Sequence, residues 1–404
     1  MKVIKSYGEQ PFRSQIESNG LTLTLITNTL HTPYSGMLPG FVSGHYTYSD
    51  IHVDLQRLCG YGGFTLIHDS AVGMTYNESS GGTVLLENDE AIPYDVLSID
   101  VGSSPGGLPT SGQASGDEDK QRNNADASAI PVKPISTFSS RYDDLKSRLR
   151  ESATSYSKSN PFILLVVGGG AGGIELALSC QFALKEVMKD AGGDADAIKV
   201  ILATRGNALL ESHNKKVRKI FTRIMKERDV KVSYNANAIG IENVEGSNMK
   251  VLKLSNQEVS DASPRIVFHE CLWCTSAGSA SWLSDNTPFA TTDDGFVKVG
   301  STYECIDHPH VFAAGDCCHF VENPRPKAGV FAVRAGPILR DNILSAALGR
   351  DLTMHKPQSD FLSLISTGDK YAVASRGRFA FEGAYLWRLK DRIDTSWMRD
   401  YQDI

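Results

Sequence analysis

A glycine-rich turn directly after an apolar segment is the feature that most constrains this chain. Residues 162–167 read Phe-Ile-Leu-Leu-Val-Val and lead into Gly168, Gly170 and Gly173, spaced as G-x-G-x-x-G. In this pattern a buried parallel strand ends at the first glycine, the second lets a pyrophosphate approach the main chain, and the third allows close packing of the next helix. The sequence therefore predicts a dinucleotide site formed by these glycines and Glu175. The following helix is expected to begin at Glu175 and to direct its N-terminal dipole at the phosphates. The alternative is a glycine-rich loop in another α/β protein.

The end of the next predicted strand bears on the choice of nucleotide. This strand covers residues 198–204, and Thr204 is followed by Arg205. An NAD site usually places an acid here to accept both ribose hydroxyls, whereas a cation suits a 2′-phosphate. Thr204 and Arg205 therefore favour NADPH over NADH, and the alternative is that Arg205 is an ordinary solvated charge.

Composition and charge limit the classes of protein. The 404 residues suffice for two or three domains with sizeable cores, and 41% hydrophobic residues with a net charge of −6 are typical of a soluble protein. The acidic balance argues against nucleic-acid binding. No apolar run approaches the roughly 20 residues of a membrane span, and residues 1–20 lack a secretory signal core. Seven scattered cysteines indicate reduced thiols, so a cytoplasmic or soluble organellar location is expected.

The order of predicted elements indicates a discontinuous layout. Strands are predicted at 21–27, 94–101 and 230–233, with two more between 361 and 375, and helices at 135–152, 213–228 and 383–401. Between these elements, residues 106–129 are rich in Gly, Ser, Asp and Asn and bury almost nothing, so they are predicted to form a disordered surface loop.

Several segments together resemble the pyridine nucleotide-disulfide oxidoreductases, flavoproteins with two dinucleotide-binding domains. Within that class the likeness is to the NADH-dehydrogenase-like flavoproteins found alone or fused to selenide, water dikinase. The resemblance covers nearly the whole chain outside the polar loop. It is carried by residues 31–40, 44–46, 94–103, 130–135, the turn at Gly168, 311–316, 326–329 and 365–375.

The resemblance implies an α/β fold with two Rossmann-like domains of the three-layer ββα type. The flavin domain is assembled from residues 1–105 and 291–349, and the NAD(P)H-binding domain at 161–290 is inserted between them. Residues 130–160 form a connecting helix and linker. A small α+β region occupies residues 350–404.

The resemblance also assigns cofactor residues. At the end of the Phe-Ala-Ala-Gly-Asp run, Gly315 allows close approach and Asp316 hydrogen-bonds the ribityl chain of FAD. Lys327 is placed where it stabilises the reduced flavin, with a surface lysine as the alternative. Cys317 and Cys318 are expected at a helix N-terminus, although packing against the flavin wall is favoured over reactivity. The remaining flavin-side or crossover residues are His31, Thr32, Pro33, Tyr34, Ser35, Gly102 and Gly278; for His31 a buried structural role is the alternative.

One departure from the family concerns the FAD pyrophosphate. No G-x-G-x-x-G precedes residue 168, and Met1 to Gly8 resemble the tail of the helix that follows such a turn. An incomplete gene model or an alternative start is therefore expected. If the chain is read as written, the alternative function is a non-catalytic NADP-binding protein that has lost FAD.

The electron acceptor is a small molecule that the sequence does not identify. The early C-x4-C pair of disulfide reductases is lacking, and Cys271 and Cys274 should face opposite sides of a strand. Type II NADH dehydrogenases pass electrons to quinone, but residues 329–336 lack the glutamines of their acceptor helix. Residues 385–401 mix apolar and basic residues, so peripheral membrane contact through this helix and packing in the core are both open.

These observations lead to one functional interpretation. The chain is expected to be an FAD-dependent NAD(P)H oxidoreductase that passes hydride to FAD and then to an acceptor such as a quinone. No metal site is indicated. A functional link to selenide, water dikinase rests on the family resemblance alone.

Overall fold

A five-stranded parallel sheet organises the middle of the chain. The computed structural model describes residues 1–77, 81–107, 129–255, 265–275, 277–356, 358 and 361–404. The central strand of this sheet is buried except at Ile163, which is half-buried, as expected for a parallel strand with elements on both faces. The five strands, from one edge to the other, are Ile130–Pro131, Glu270–Trp273, Phe162–Val167, Ile198–Ala203 and Val230–Ser233.

Helices cover one face of this sheet and a second sheet covers the other. The helices are Ile135–Glu151, Ala171–Asp190 and Lys215–Glu227, which share one apolar core with Leu164 and Val166. On the opposite face, Leu165 and Val167 pack against an antiparallel sheet. Its strands are Ala238–Asn243, Lys250–Leu254 and Ile266–Phe268. The nucleotide domain therefore has the predicted three layers.

The flavin domain is built from the segments that precede and follow the inserted nucleotide domain. Two parallel strand pairs, Leu23–Thr27 with Phe64–His68 and Leu97–Ile99 with Val311–Ala313, form separate two-stranded sheets in the described part of the chain. Helix Gly329–Ala347 packs beside them. Further strands are Ala71–Asn77, Gly81–Leu86 and Ala91–Tyr94 in one antiparallel sheet, His31–Pro33 with His52–Asp54, and Val297–Val299 with Cys318–Phe320. Ser104–Pro105 pairs with Ala277–Gly278 between the two domains.

Short helices complete this domain. Around the first strands lie Lys2–Tyr7, Phe12–Ser18, Leu38–Val42, Tyr48–Ile51 and Leu55–Gly62, and Trp282–Asp285 follows the return from the nucleotide domain. Single 3₁₀ turns occur at Ser35–Met37, Ala153–Ser155, Ala195–Ala197 and Gly315–Cys317.

The C-terminal region is a three-stranded antiparallel sheet and one long helix. The strands are Ser363–Ser366, Ala372–Arg376 and Phe379–Gly383, and the helix is Ala384–Gln402. One face of the sheet packs toward helix Lys215–Glu227, since Asn214 donates to the carbonyls of Gly377 and Phe379. The small α+β region that the sequence predicts is thus present.

Some predicted bounds need correction. The strand predicted at 94–101 is divided, because Tyr94 ends an antiparallel strand and the parallel strand is only Leu97–Ile99. The helix predicted at 213–228 begins later, since Asn214 caps it through the amides of Lys216 and Val217. The predicted strand pair between 361 and 375 has a third partner in Phe379–Gly383. Most of the loop predicted at 106–129 lies outside the described residues.

A buried ion pair fixes the C-terminal helix to the loop at residues 31–36. Lys390 Nζ lies 2.6 Å from Asp394 Oδ2 and donates to the carbonyl of Gly36, also at 2.6 Å. Tyr34 donates its hydroxyl to the other oxygen of Asp394 at 3.2 Å, and its ring stacks on Trp397. The side chain of Asp394 is 6% exposed. Each charge is therefore compensated within the protein.

Breaking this pair should be costly. Lys390→Met leaves Asp394 buried without its cation, so the free energy of unfolding should fall by about 3–5 kcal/mol, as measured by urea denaturation. Arg388→Met, two residues earlier on the exposed face of the same helix, should change it by less than about 0.5 kcal/mol. Equal losses in the two variants would show that the pair does not stabilise the helix.

Candidate nucleotide and flavin sites

The turn after the central strand has the geometry that its glycines predict. Gly168 has a φ of +132°, and a Cβ placed there would overlap the carbonyl oxygen of Cys274. A Cβ at Gly173 would overlap the carbonyl oxygen of Gly168 itself. Gly168 therefore excludes a side chain because of its φ and the Cys274 carbonyl. Gly173 excludes one because the helix, which begins at Ala171 and not at Glu175 as predicted, rests directly on the turn.

The same turn leaves room for a ligand where the pattern requires it. Apart from adjacent residues and the nearby backbone of the helix, no heavy atom of the described residues lies within 4 Å of a Cβ placed at Gly170 or Gly172. Gly170 precedes a helix of 20 residues and offers no side-chain cap to its first amides. An open approach to uncapped amides at a long helix fits the pyrophosphate of a dinucleotide.

Of the two residues that follow the second strand, one is buried and the other is exposed to solvent. Thr204 is buried, and a Cβ at Gly169 would meet its side chain, so Thr204 supports the glycine turn from below. Arg205 is exposed beside it. The structure thus leaves Arg205 available at the strand end where an adenosine ribose binds in such folds.

Glu175 connects this helix to the C-terminal sheet. Its carboxylate accepts hydrogen bonds from the amide and the hydroxyl of Ser366, at 2.8 and 3.1 Å. Burial raises the pKa of Glu175, while Lys390 and the Ser366 hydrogen bonds oppose this shift. The described contacts of Glu175 therefore hold the helix in place, and its predicted contact with the cofactor stays a prediction.

A second cluster forms around Asp316. Lys133 Nζ lies 2.8 Å from Asp316 Oδ2 and donates to the hydroxyl of Ser103, also at 2.8 Å; that hydroxyl donates to Asp316 Oδ2 at 3.1 Å. Asp316 Oδ1 has no hydrogen-bond partner within the described ranges. One carboxylate oxygen is thus fixed by protein and the other can accept a ligand hydroxyl, which fits the predicted contact with the ribityl chain of FAD.

Two glycines shape the main chain at this cluster. Gly315 has a φ of +76°, and a Cβ there would lie 2.5 Å from Asp100 Oδ1. Gly102 also has a positive φ, +73°, with open space in front of it. Both follow the adjacent parallel strands Leu97–Ile99 and Val311–Ala313, and ligands bind at the carboxyl ends of such strands.

Lys327 is directed into the protein close to this cluster. Its ammonium group donates to the carbonyl of Cys318 and lies 3.8 Å from the ring centroid of Phe296. Burial lowers the pKa of Lys327, and the neighbouring Cys318, Cys317 and Asp316 oppose the shift. It is therefore not an ordinary surface lysine, although its effect on the flavin stays a prediction.

The side chains of the loop at residues 31–35, predicted to line the flavin, point to different parts of the protein. Ser35 lies near the start of helix Gly329–Ala347, with its hydroxyl 3.7 Å from a Cβ placed at Gly329, whereas Tyr34 turns to the C-terminal helix. Thr32 and Pro33 pair in a short ribbon with Val53 and His52. His31 is exposed in that ribbon, so the buried structural alternative for His31 is wrong.

The two segments in which the chain passes from one domain to the other pair with each other. Gly278 pairs with Ser104, and the Thr275 hydroxyl and the Trp273 indole both donate to the carbonyl of Gly106. Ser104 follows Ser103 of the Asp316 cluster, while Cys274 backs Gly168. The predicted crossover residue Gly278 therefore lies between the two candidate sites.

The sequence interpretation missed Lys133 and Ser103 as site residues. Both stand in segments that carried the resemblance, but their contact with Asp316 spans 183 and 213 positions. The available signal was a lysine directly before Pro134 and two residues after Pro131, at the start of a predicted helix.

The cysteines occupy buried or half-buried positions. Cys317 and Cys318 lie in a 3₁₀ turn and a strand, so the helix N-terminus predicted to stabilise a thiolate is wrong. Burial raises the pKa of both thiols, to about 12 for Cys318. Cys271 and Cys274 belong to different cores on opposite sides of their strand. No group of potential metal ligands occurs within the described residues, and no helix there is long and apolar enough to cross a membrane.

The glycine turn is joined through the paired crossovers to a Gly-Asp turn on a second parallel unit. This is the layout of a fold with two dinucleotide-binding domains. Residues 15–336 match the pyridine nucleotide-disulphide oxidoreductase family. The chain belongs to this family, whose enzymes use FAD and NAD(P)H. A comparison with curated protein sequences gives no match.

Solved structures share this fold at low sequence identity. The sulfide:quinone oxidoreductase of Aquifex aeolicus has a TM-score of 0.73 at 14% identity, covering 99% of this chain and 89% of that one. NDH2 from Plasmodium falciparum in complex with NADH has a TM-score of 0.68 at 13% identity, covering 94% and 93%. A putidaredoxin reductase bound to putidaredoxin has 0.61 at 15%, covering 93% and 79%.

Substitutions at two glycines of the turn should distinguish an effect on protein stability from an effect on nucleotide affinity. Gly170→Ala meets no protein atom, so the free energy of unfolding should change by less than about 1 kcal/mol, yet its methyl group occupies the approach to the turn. NADPH affinity, measured by fluorescence titration, should then fall at least about tenfold, equal to about 1.4 kcal/mol.

Gly173→Ala is the matched comparison in the same turn. Because its methyl group would overlap the carbonyl of Gly168, both stability and NADPH affinity should fall. If Gly170→Ala binds NADPH as tightly as the unaltered protein, the pyrophosphate does not approach this turn.

Proposed function

We propose that this protein is an FAD-dependent NAD(P)H oxidoreductase that passes hydride from the nicotinamide to FAD and then to a small-molecule acceptor such as a quinone. The observation that carries the proposal is the paired crossover. It joins the glycine turn, through Cys274 and Gly278, to Ser104 and the Asp316 cluster. Two cofactor sites on the two sides of one short ribbon suit hydride transfer, which requires two aligned rings.

The residues of the chain would hold and tune the two cofactors. FAD, when bound, supplies the redox chemistry by accepting hydride from the nicotinamide. Asp316 Oδ1 would accept a hydrogen bond from the ribityl chain, while Lys133 and Ser103 fix the other oxygen. The Lys327 ammonium, held between Phe296 and the Cys318 carbonyl, would provide positive charge near a reduced ring.

The raised pKa values of the cysteine thiols support an electron acceptor that does not react by disulfide exchange with this chain. Burial raises the pKa of all seven thiols, and a thiol held protonated is a poor nucleophile for disulfide exchange. A quinone is the acceptor named for one protein of similar fold, the sulfide:quinone oxidoreductase. The link to selenide, water dikinase stays a prediction.

Exposed Arg205 supports NADPH as the preferred nucleotide. It follows the buried Thr204 at the strand end, where a guanidinium group can form charge-assisted hydrogen bonds with a 2′-phosphate. NADH lacks that phosphate and would gain nothing from Arg205.

The visible absorbance spectrum tests the proposed function directly. The purified protein, with FAD added, should show flavin bands that bleach when NADPH is supplied and recover with a quinone. Asp316→Ala should weaken FAD binding about tenfold or more, because a hydrogen bond to a charged group contributes about 1.5–3 kcal/mol. Asp293→Ala, an exposed acid of the same domain, is the matched control. A colourless protein that takes up no FAD but binds NADPH would instead favour a non-catalytic NADP-binding role.

Nucleotide preference gives a second test. Arg205→Ala should raise the dissociation constant for NADPH at least about tenfold, through loss of a charge-assisted contact, and leave that for NADH within about twofold. Lys231→Ala, an exposed cation on the neighbouring strand, should affect neither. An equal loss for both nucleotides would contradict recognition of the 2′-phosphate by Arg205.

A further inference from the structure

Helix Gly329–Ala347 turns one side toward the candidate flavin site and another side away from it. A Cβ placed at Gly315, in the Gly-Asp turn, would lie 3.7 Å from the Cβ of Ala332. With 3.6 residues per turn, Arg334 stands two positions further along and points about 160° away from Ala332. Side chains that share the side of Arg334 are therefore directed away from the candidate flavin site.

A cavity of about 320 Å³ lies against this second side of the helix. Phe331, Arg334 and Ile338 recur at intervals of three and four residues, so they share one side of the helix, and all three line the cavity. Its volume lies within the range of small-molecule sites. We call it the outer cavity. Three other segments complete its wall with Tyr303, Arg325, His355 and Lys356.

The wall of the outer cavity carries positive charge without a carboxylate beside it. Its cations are Arg325, Arg334 and Lys356, and no acid of the described residues is among the lining residues. None of the three cations forms an ion pair within the part of the chain that the structure describes. Since the net charge of the whole chain is −6, the outer cavity is a local exception that favours an anionic ligand.

The guanidinium group of Arg325 is positioned by the protein, yet most of its donors are unused. Its Nη1 donates to the carbonyl of Gln358, and the group lies 5.3 Å from the ring centroid of Phe331. Its Nε is buried and has no hydrogen-bond partner among the described residues. A guanidinium group has five N–H donors in a fixed geometry. An arginine held in this way is suited to bind the oxygens of an anion.

The tyrosine of the outer cavity is held in an uncommon conformation. Tyr303 has a φ of +65°, which bulky residues rarely adopt. Its hydroxyl lies 2.6 Å from Nδ1 of His355. Buried Asn342 fixes the segment before His355 by exchanging hydrogen bonds with the main chain of Thr353 at 2.9 and 2.7 Å. Strained backbone of this kind is found where the surrounding structure imposes it, frequently at ligand sites.

We propose that the outer cavity binds a small organic phosphate that carries a flat apolar group. Arginine and lysine would hold the phosphate through charge-assisted hydrogen bonds, and Phe331 and Ile338 would contact the flat group. A carboxylate suits the cavity less well, because it brings a single negative charge to three cations. The outer cavity is separate from the proposed redox centre, since it lies on the other side of the helix, and binding there requires no electron acceptor.

Isothermal titration calorimetry of the full chain with 1-naphthyl phosphate tests the proposal. The protein is first loaded with FAD and then freed of excess FAD. The probe should bind to the outer cavity once per chain. Inorganic phosphate and 1-naphthol each lack one half of the probe, so each should bind at least about tenfold more weakly. 1-Naphthoate, with one charge fewer, should bind more weakly than the phosphate.

Substitution of the exposed cations locates the probe. Arg334→Ala should lower the affinity for 1-naphthyl phosphate at least about tenfold, because a hydrogen bond to a charged group is lost, and Lys356→Ala should lower it in the same direction. The matched control is Arg350→Ala, an exposed arginine just beyond the end of the same helix, which should leave the affinity within about twofold. Arg205→Ala should also leave it unchanged, which separates the outer cavity from the nucleotide turn. Thermal melting checks that each variant folds.

Four results would overturn the proposal. The first is no binding of 1-naphthyl phosphate to the unaltered chain, and the second is an unchanged affinity in Arg334→Ala. The third is an equal loss in Arg350→Ala or Arg205→Ala, which would indicate a general effect of charge or binding at the nucleotide turn. The fourth is 1-naphthol that binds as tightly as its phosphate, which would show that the cations do not contribute.

Discussion

The close approach of Gly173 to the carbonyl of Gly168 is the contact on which the nucleotide half of this protein depends. No side chain separates helix Ala171–Asp190 from the turn that precedes it. The helix axis is therefore directed at the space above Gly170, where its first amides and its dipole act on the same point. The strand before the turn is fixed by burial on both faces, so the position of these amides is determined by the core and not by the flexibility of a loop.

The flavin half depends on a polar contact between distant segments. Lys133 begins the connection into the nucleotide domain, yet its ammonium group is held by Asp316 and Ser103 of the flavin domain. The carboxylate that the sequence predicts to contact FAD is thus neutralised on one side by the linker. Its charge can be oriented without a large desolvation cost, because the partner cation and hydroxyl satisfy one oxygen.

Short sequence patterns predicted those elements whose structure is determined by residues close together in the chain. The glycine turn, the strand Ile198–Ala203 and the helix Ile135–Glu151 follow from apolar runs, glycine spacing and periodicity within short windows. The third C-terminal strand was missed, although Gly377 with a φ of +52° marks a two-residue hairpin turn between Arg376 and Phe379.

Contacts across the chain could not be predicted in the same way. Tyr34 and Asp394 are 360 positions apart, and nothing in the loop containing Tyr34 indicates that its ring stacks on Trp397 and not on a cofactor. The family resemblance predicts a helix N-terminus at Cys317 and Cys318. Here the main chain continues as the strand Cys318–Phe320, paired with Val297–Val299, and burial raises the pKa of both thiols.

The hydrogen bonds between Glu175 and Ser366 have a thermodynamic consequence. They connect the helix whose N-terminus faces the nucleotide site to the C-terminal sheet. Thermodynamic coupling between two parts of a protein is reciprocal. A nucleotide that strengthens the hydrogen bonds of Glu175 to Ser366 would therefore make the C-terminal sheet harder to detach, and a docked C-terminal sheet would raise nucleotide affinity by the same factor.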